Sequence, residues 1–477
     1  MSSLKLEGKK VLVIGAARSG IASATFLAQR GAIVALNDAK PMDQWHPDAV
    51  ALKTEGVGCF AGDPPGWLLD QLELVVVSPG VPTNSIPIRY AERAGAEVIG
   101  EVELAARFLN GRLVAITGSN GKTTTTSLVG EILKDAGLKT QVGGNIGTAL
   151  ISMVENSTDD TWTVAEVSSF QLETIKEFRP NVATVLNVTP NHMDRYESFT
   201  YYAAAKHRIF MNQQAGDVAV LNADDEIVSG WASGLRAHVT MFSVKRELEE
   251  GLFLRGRDIV SASGSREKIL MTRDEMRLRG LHNVENVLAA LAMGLACGAA
   301  PESMRATVKQ FQPVEHRLEF VEEIGGVRFY NDSKATSVDA TLKALEAFAG
   351  DETGKVILIL GGRGKKAPYA PLESLVKETV RKMILIGEDA DTIANELGSF
   401  APAGRAGDMK DAVRLAHSAA SAGDTVLLAP ACASFDMFDS FEHRGKVFKE
   451  EVSSLKFRVL SSDGELETRN SKLETGS

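Results

Sequence analysis

Cysteine is scarce. Cys59, Cys297 and Cys432 are the three in 477 residues, far apart and without C-x-x-C spacing, which excludes a disulfide framework and a cysteine zinc site and fits buried thiols in a reducing cytosol. Long apolar runs are missing too. The longest, residues 287–300, is too short to cross a bilayer, and residues 1–10 are polar and basic without the apolar segment of a signal peptide. A cytoplasmic chain with no membrane insertion is expected. Positive charge is in deficit: 52 Lys and Arg against 62 Asp and Glu give a net charge of −10. A protein whose main partner is nucleic acid needs a basic face, so that class is excluded, while a local spot such as Arg363-Gly-Lys-Lys366 remains free to meet a small anion. Internal repeats are absent. What is left is an ordinary globular composition, 44% hydrophobic and 24% charged, with length enough for about three domains.

The strongest positive signal is Leu113-Val-Ala-Ile-Thr-Gly-Ser-Asn-Gly-Lys-Thr-Thr-Thr-Thr126. An apolar, β-branched run breaks into a Gly/Asn loop, and Lys122 and Thr123 open a segment whose apolar residues Leu128, Val129, Ile132 and Leu133 have helical spacing. That is a phosphate cradle. Gly118 and Gly121 let the backbone N–H groups of Ser119 and Asn120 converge on phosphate oxygens, the helix N-terminus at Lys122 to Thr124 adds a favourable dipole, the Lys122 ammonium reaches the terminal phosphates, and the Thr123 hydroxyl can ligate Mg²⁺. ATP is the ligand this layout predicts. The general pattern G-x-x-x-x-G-K-S/T is not met, because Ile116 stands five before Gly121; the loop is a tighter variant.

Before this loop, residues 10–15 read as a buried strand, 19–30 as a helix ended by Gly31, and 32–37 as a second strand with Asp38 at its tip. The turn Gly15-Ala-Ala-Arg-Ser-Gly20 matches the dinucleotide fingerprint except at Ala17, which weakens a nicotinamide reading and favours a nucleotide-like ligand held differently. A further strand, residues 74–77, ends in Ser78-Pro-Gly-Val-Pro82, a rigid turn at the same sheet edge. A linker helix near residues 101–108 sets a domain boundary near 100.

After the loop, Gly143-Gly-Asn-Ile-Gly147 is a second glycine-rich turn. Glu166 ends an apolar strand and is placed either to hold Mg²⁺ or to act as a cap or ion-pair partner. Residues 182–188 form another strand, ending in Thr189-Pro-Asn-His-Met-Asp-Arg195, where His192 and Asp194 suit a metal, a substrate carboxylate, proton transfer or a local hydrogen bond. Lys206, in a helical segment rich in alanine, carries no message by itself. Asn283 and Asn286, three apart on one helix face, can read an adenine edge or cap the helix. Beyond residue 317, strands at 327–331, 356–360, 383–386 and 425–428 alternate with helices, a third, doubly wound α/β domain. Its strand ends carry Asn331-Asp-Ser-Lys-Ala-Thr336, Gly361-Gly-Arg-Gly-Lys365 and Ala429-Pro-Ala-Cys-Ala-Ser-Phe435, lysines and hydroxyls suited to a small dicarboxylate. The polar tail from about residue 461 reads as disordered.

Together these motifs resemble the Mur ligase family over nearly the whole chain apart from the tail. Thr117-Gly-Ser-Asn-Gly-Lys-Thr123, Glu-Val-Ser-Ser-Phe-Gln-Leu-Glu173, Asn191-His-Met-Asp194, Lys206 and the run from His282 to Asn286 carry the likeness; Asn331 to Thr336, Pro430 to Ser434 and Phe441-Glu-His-Arg-Gly445 resemble its D-glutamate-adding members. The alternative is a related or folylpolyglutamate-type ligase with another amino acid. The resemblance implies an α/β fold of three domains: a Rossmann-like UDP-sugar domain at 1–100, a central P-loop ATPase-type domain at 101–313 and a Rossmann-like amino-acid domain at 314–477. It implies an ATP-dependent amide ligase of peptidoglycan precursor synthesis, monomeric, whose substrates are UDP-N-acetylmuramoyl-L-alanine, D-glutamate and ATP. By position, Lys122 and Thr123 would meet the γ-phosphate and one Mg²⁺; Glu166, Ser168 and His192 would help hold two metals, with Lys206 carbamylated beside them. Asn283, Asn286, Arg317, Asp332 and Lys334 would contact ATP. Arg18, Ser19, Asp38, Ser78, Gly80 and Asn145 fall where the family binds UDP-sugar, and Thr336, Lys365, Ser434, Phe435 and Phe441 where it binds D-glutamate. The last domain would swing about residues 312–315 to bring the reactants together. The chain departs from the family at Arg18, where a threonine or leucine is usual, and at Arg363, where an acid is usual.

Overall fold

The computed structural model describes residues 4–190, 195–278, 280–312, 315–349, 354–365 and 367–474, with side chains described through residue 458. Three sheets follow one another along the chain. The first has five parallel strands in the order Gly58–Ala61, Ile33–Asp38, Lys10–Ile14, Leu74–Val77 and Glu97–Gly100. Val11 to Val13 and Leu74 to Val76 are almost wholly buried, as parallel strands covered on both faces must be. Chain order reverses between Lys10–Ile14 and Leu74–Val77, so the turns at residues 15–20 and 78–82 leave the sheet side by side, where open α/β sheets bind ligands.

The second sheet has nine strands. Arg112–Thr117 lies between Val182–Val185 and Trp162–Glu166, all parallel, so the phosphate loop emerges at another reversal of chain order. At its far edge Glu250–Arg255, Asp258–Ser263 and Arg266–Thr272 form antiparallel hairpins. The third sheet runs Glu319–Ile324, Val327–Asn331, Thr425–Leu428, Val356–Gly361, Val380–Ile386, Ala403–Arg405 and is parallel except for its first hairpin. Strand residues of Val356–Gly361 alternate between two cores: Leu358 and Leu360 meet Leu345, Val376 and Ile393 on one face, while Ile357 and Ile359 meet Val413, Phe448 and Val452 on the other.

Residues 1–276 with 284–311 form one compact unit, and residues 277–283 with 312–477 a second. The division expected near residue 100 thus separates two sheets but not two cores, because Leu27, Val102, Leu150, Val167 and Phe178 belong to one buried apolar cluster. Glu103, on the helix Glu101–Ala106, is the polar part of this junction. Its fully buried carboxylate accepts the N–H groups of Lys176 (2.8 Å), Glu177 (2.9 Å) and Phe178 (2.9 Å) and the Arg107 guanidinium (2.8 Å). Saturation of this kind is what makes a buried carboxylate tolerable. The last helix runs Phe441–Glu474, through a stretch that contains no proline to stop it.

Candidate active site

The phosphate loop is built almost entirely from backbone and short polar side chains. Gly121 has φ 81°, and a Cβ there would stand 2.1 Å from Asn286 Oδ1, so the turn into the helix Lys122–Asp135 requires glycine twice over. Asn187, just past Val182–Val185, holds the loop from the neighbouring strand: its carbonyl accepts Ser119 N–H at 3.0 Å and its Oδ1 accepts Asn120 N–H at 2.8 Å. Lys122 Nζ donates to the carbonyls of Gly118 (2.9 Å) and Ser119 (3.0 Å). Asn286 is buried under the loop, accepting the Thr125 hydroxyl at 3.4 Å, and Asn283 is buried one turn earlier on the same helix.

Glu166 ends its strand 2% exposed. One carboxylate oxygen accepts the Asn145 amide at 2.8 Å; the other, Oε2, is buried with no hydrogen-bond partner among the described residues, as are the hydroxyls of Thr117, Thr124 and Thr126. An orphaned carboxylate oxygen beside a phosphate loop fits a divalent cation, which would supply the missing partner. Ser168 caps the short helix Ser169–Leu172 in a reciprocal exchange with Gln171. Lys206 is fully buried, its Nζ donating to Gly118 O at 2.8 Å and standing 4.6 Å from the Tyr202 ring centroid. Tyr202 in turn shares a hydrogen bond with Ser119 Oγ at 3.0 Å. Burial first, and then the Lys122 charge, holds the Lys206 ammonium well below the ordinary lysine range, against the pull of Glu166. His192 and Asp194 lie outside the described residues.

At the first sheet, a cleft of about 830 Å³ is lined by Ala16, Arg18, Asp38, Lys40, Trp45 and His46, among others. Asp38 accepts the N–H groups of Ala16 (2.8 Å) and Lys40 (2.9 Å), fixing both turns at the cleft floor. The helix Arg18–Gln29 has no side-chain cap and no acid in its first turn, which leaves the N–H groups at Arg18 and Ser19 disposed toward an anion. Gly20 is required by packing, since a Cβ would come 1.7 Å from Gly15 O, and Ser78 Oγ donates to that same carbonyl at 3.3 Å. Gly80 is exposed on its turn. Arg18 reaches across to Gly147 O at 2.5 Å, and the Asn145 amide donates to Glu166 Oε1 at 2.8 Å.

The second unit gathers its predicted residues at the carboxyl ends of its strands. Asp332 is buried and pushed up to about 6 by desolvation, opposed chiefly by Arg317; its Oδ1 and Arg317 Nε are both buried without a partner among the described residues. Lys334 Nζ is 5.6 Å from the Phe441 ring centroid, Lys365 Nζ is 3.5 Å from Thr336 Oγ1, Ser434 is buried, and Phe435 is 65% exposed. Arg363 turns away to a bidentate pair with Glu388 (3.0 and 2.9 Å), which absorbs its charge. Two supports have no counterpart in the sequence reading. Arg444 is fully buried, and its guanidinium donates to Ser333 Oγ and O (both 2.9 Å) and to Cys432 O (3.2 Å), with burial lowering it to about 10. Tyr369 OH donates to Asp389 Oδ2 at 2.6 Å and lies 3.0 Å from Cys432 Sγ. Their partners are remote in sequence, so only the quoted stretch around Phe441 hinted at Arg444.

A carboxylate cannot accept an amine until it carries a leaving group, and a loop made for a nucleotide's terminal phosphate can install one; the class defined here is the ATP-dependent ligases. Family models sharpen this. "Mur ligase MurD-like, N-terminal domain" matches residues 9–100, "Mur ligase middle domain" residues 116–294, and "Mur ligase, glutamate ligase domain" residues 316–432. The chain belongs to the Mur ligase family. It is similar to the UDP-N-acetylmuramoylalanine–D-glutamate ligases of Solibacter usitatus, 50% identical over 95% of this chain and 99% of the relative, and of Koribacter versatilis, 48% identical over 95% and 99%. Among solved structures, a pseudomurein peptide ligase type C from Methanothermus fervidus (TM-score 0.59, 19% identity, 94% of this chain and 100% of that one) shares the fold. So does the UDP-N-acetylmuramate-alanine ligase of Thermotoga maritima (TM-score 0.59, 19% identity, 94% and 100%).

Proposed function

We propose that this chain joins D-glutamate to UDP-N-acetylmuramoyl-L-alanine in peptidoglycan precursor synthesis, converting ATP to ADP and phosphate. The observation that carries the reading is its 50% identity, over 95% of the chain, to a relative of that name. The alanine carboxylate attacks the γ-phosphorus, ADP leaves, and an acyl phosphate forms. The D-glutamate amine then attacks the acyl carbon, and the tetrahedral intermediate loses a proton and expels phosphate. Negative charge builds on phosphoryl and acyl oxygens, so cations and N–H donors lower the barrier most.

In this scheme Lys122 and the N–H groups at the start of its helix steady the γ-phosphate, because those of Ser119 and Asn120, expected to meet phosphate, are taken by Asn187. Glu166, Thr123, Ser168 and His192 would hold magnesium, which would neutralise phosphate charge. Asn283, Asn286, Arg317, Asp332 and Lys334 serve ATP; the cleft lined by Arg18 and Asp38, together with Ser19, Ser78, Gly80 and Asn145, takes the UDP-sugar. Lys365, Thr336 and Ser434 receive the D-glutamate carboxylates, with Phe435 and Phe441 beside them. The finer reading is two magnesium sites that Lys206, as a carbamate, would help to hold: the ammonium first gives up a proton, the neutral amine attacks CO₂, a C–N bond forms as one C=O π bond opens, and a second proton leaves, so that a cation becomes an anion. Burial of Lys206 beside Lys122 supports this, because both effects favour the neutral amine. ATP and UDP-sugars are cytoplasmic metabolites, which fits a reaction there; no described helix is long and apolar enough to cross a membrane.

The test is phosphate release from ATP with magnesium, UDP-N-acetylmuramoyl-L-alanine and, in turn, D-glutamate, L-glutamate, L-alanine and diaminopimelate. Turnover is expected with D-glutamate alone; equal turnover with diaminopimelate rejects the assignment.

A further inference from the structure

Arg195 is used by none of the steps above, yet it joins three segments of the first unit. Its Nη1 donates to Pro79 O at 2.9 Å and its Nη2 to Val81 O at 3.2 Å, the two carbonyls that flank Gly80 in the turn leaving Leu74–Val77. The guanidinium lies 4.0 Å from the Phe170 ring centroid and 3.6 Å from Glu173 Oε2, so the other side of the same planar group rests on the segment that follows Glu166. Glu173 is itself held, accepting Tyr196 OH at 2.6 Å and Thr83 Oγ1 at 3.4 Å, and Tyr196 stacks on Phe170 at 5.8 Å. Arg195 is 19% exposed. One rigid fork therefore fixes a turn of the first sheet against a strand end of the second, something a lysine point charge does poorly.

Resting on the function proposed above, we propose that Arg195 is a positioning residue that sets the span between the two ends of the muramoyl substrate. The nucleotide end binds at the first sheet, by Ser78 and Gly80; the reacting carboxylate must arrive at the second, by Glu166 and the phosphate loop. The substrate is one covalent piece, so the binding energy of its nucleotide can orient the carboxylate only if the two edges are held at the right separation. Arg195 touches neither end. Its loss uncouples them without removing a ligand-binding group from either subsite.

Full-length Arg195→Met, Arg195→Lys and Glu173→Gln are compared with the unaltered chain on two substrates, UDP-N-acetylmuramoyl-L-alanine and 1-phospho-N-acetylmuramoyl-L-alanine, which lacks uridine monophosphate. For Arg195→Met, kcat/KM on the UDP substrate is expected to fall by about thirtyfold and on the truncated substrate by less than about threefold, with KM for ATP and D-glutamate unchanged. Arg195→Lys and Glu173→Gln show the same asymmetry at smaller size and carry the test if Arg195→Met does not fold. An equal fall on both substrates, a rise in all three KM values together, or no change in any variant overturns the proposal. Failure of the functional reading looks different: the unaltered chain itself then releases no phosphate with D-glutamate and the UDP substrate.

Discussion

The phosphate-loop edge of the first unit and the edge of the second proposed to take the amino acid are both made from strand ends, but they are held in opposite ways. At the first, Lys206, Glu166, Thr123 and Ser119 are all buried, with Asn187 and Tyr202 bonding the loop from two sides. At the second, the groups disposed to choose a substrate are looser: Lys365 and Thr336 meet at 3.5 Å and Phe435 is largely exposed, while firmness comes from beneath, through Arg444 and Tyr369. Groups that stabilise developing phosphoryl charge gain from a dry, preorganised setting. Groups that select an amino acid need only complementary placement, so their supports can be tuned without touching the phosphoryl chemistry.

Substitutions can break this contrast or sharpen it. The largest effect should come from Lys122→Ala, which removes one donor to the transition state and should lower kcat by about a hundredfold or more, equivalent to about 2.7–4 kcal/mol. A variant within threefold of the parent takes Lys122 out of the chemistry. Next, Lys206→Ala should lose most activity and recover part of it on addition of formate or acetate, which supply a carboxylate in place of the proposed carbamate. Equal rescue by a neutral amide, or full activity without rescue, returns Lys206 to a structural role. In Lys122→Ala the same anions should do nothing.

Glu101 gives a pH-dependent effect of intermediate size. Its carboxyl is pushed up to about 7 by burial, opposed by the Ile151 N–H and Arg18, and one oxygen has no partner among the described residues. Because the folded value lies above the ordinary 4.5, the unfolded chain releases its proton first as pH rises, and stability falls between about 4.5 and 7. Glu101→Gln keeps an oxygen for Ile151 N–H and stays neutral. Its advantage in denaturant unfolding should therefore be absent near pH 4 and grow to about 3 kcal/mol above pH 7. A difference that does not change with pH counts against a neutral Glu101. The smallest effect belongs to Tyr369→Phe, which removes the hydroxyl that ties Asp389, itself bonded through its N–H to Gly362 O in the loop of residues 361–365, to Cys432. KM for D-glutamate should rise about three- to tenfold, with ATP and UDP-substrate kinetics unchanged. Equal changes toward all three substrates would erase the contrast between the two edges.

Much of this was legible in the chain. The phosphate loop announces itself because strand, glycine, lysine and helix signals coincide within about a dozen residues, and the loops at 332–336, 361–365 and 429–435 because each follows a short apolar strand. Legibility stops where a role depends on a distant partner. Lys206 looks like a helix-surface lysine until the fold buries it against Gly118, 88 positions away. Glu103 reads as part of a linker helix, and its bonds to residues 176–178 have no local signature. The hairpins of 250–272 escaped because charged edge residues such as Arg255 and Glu267 dilute their apolar alternation. Arg363, flagged as a departure, is explained by Glu388, 25 residues on.

Glu103 also bears on how the chain can be divided. Three family models invite a cut near residue 100, as though the first sheet were an independent module. Yet a fragment stopping there leaves Val102, Leu104 and Ala105 behind, opening a large wound in the shared apolar cluster. On the other piece, removal of the early strands strips cover from Leu150, Ile151 and Val154. Neither half keeps a complete interior, so the first two sheets are coupled as a single cooperative folding block. Grafting a foreign sugar-nucleotide module onto this ligase would therefore demand a join placed after the segment at 176–178 has been matched to the incoming acid, and a splice chosen from the family boundaries alone would cut through the core.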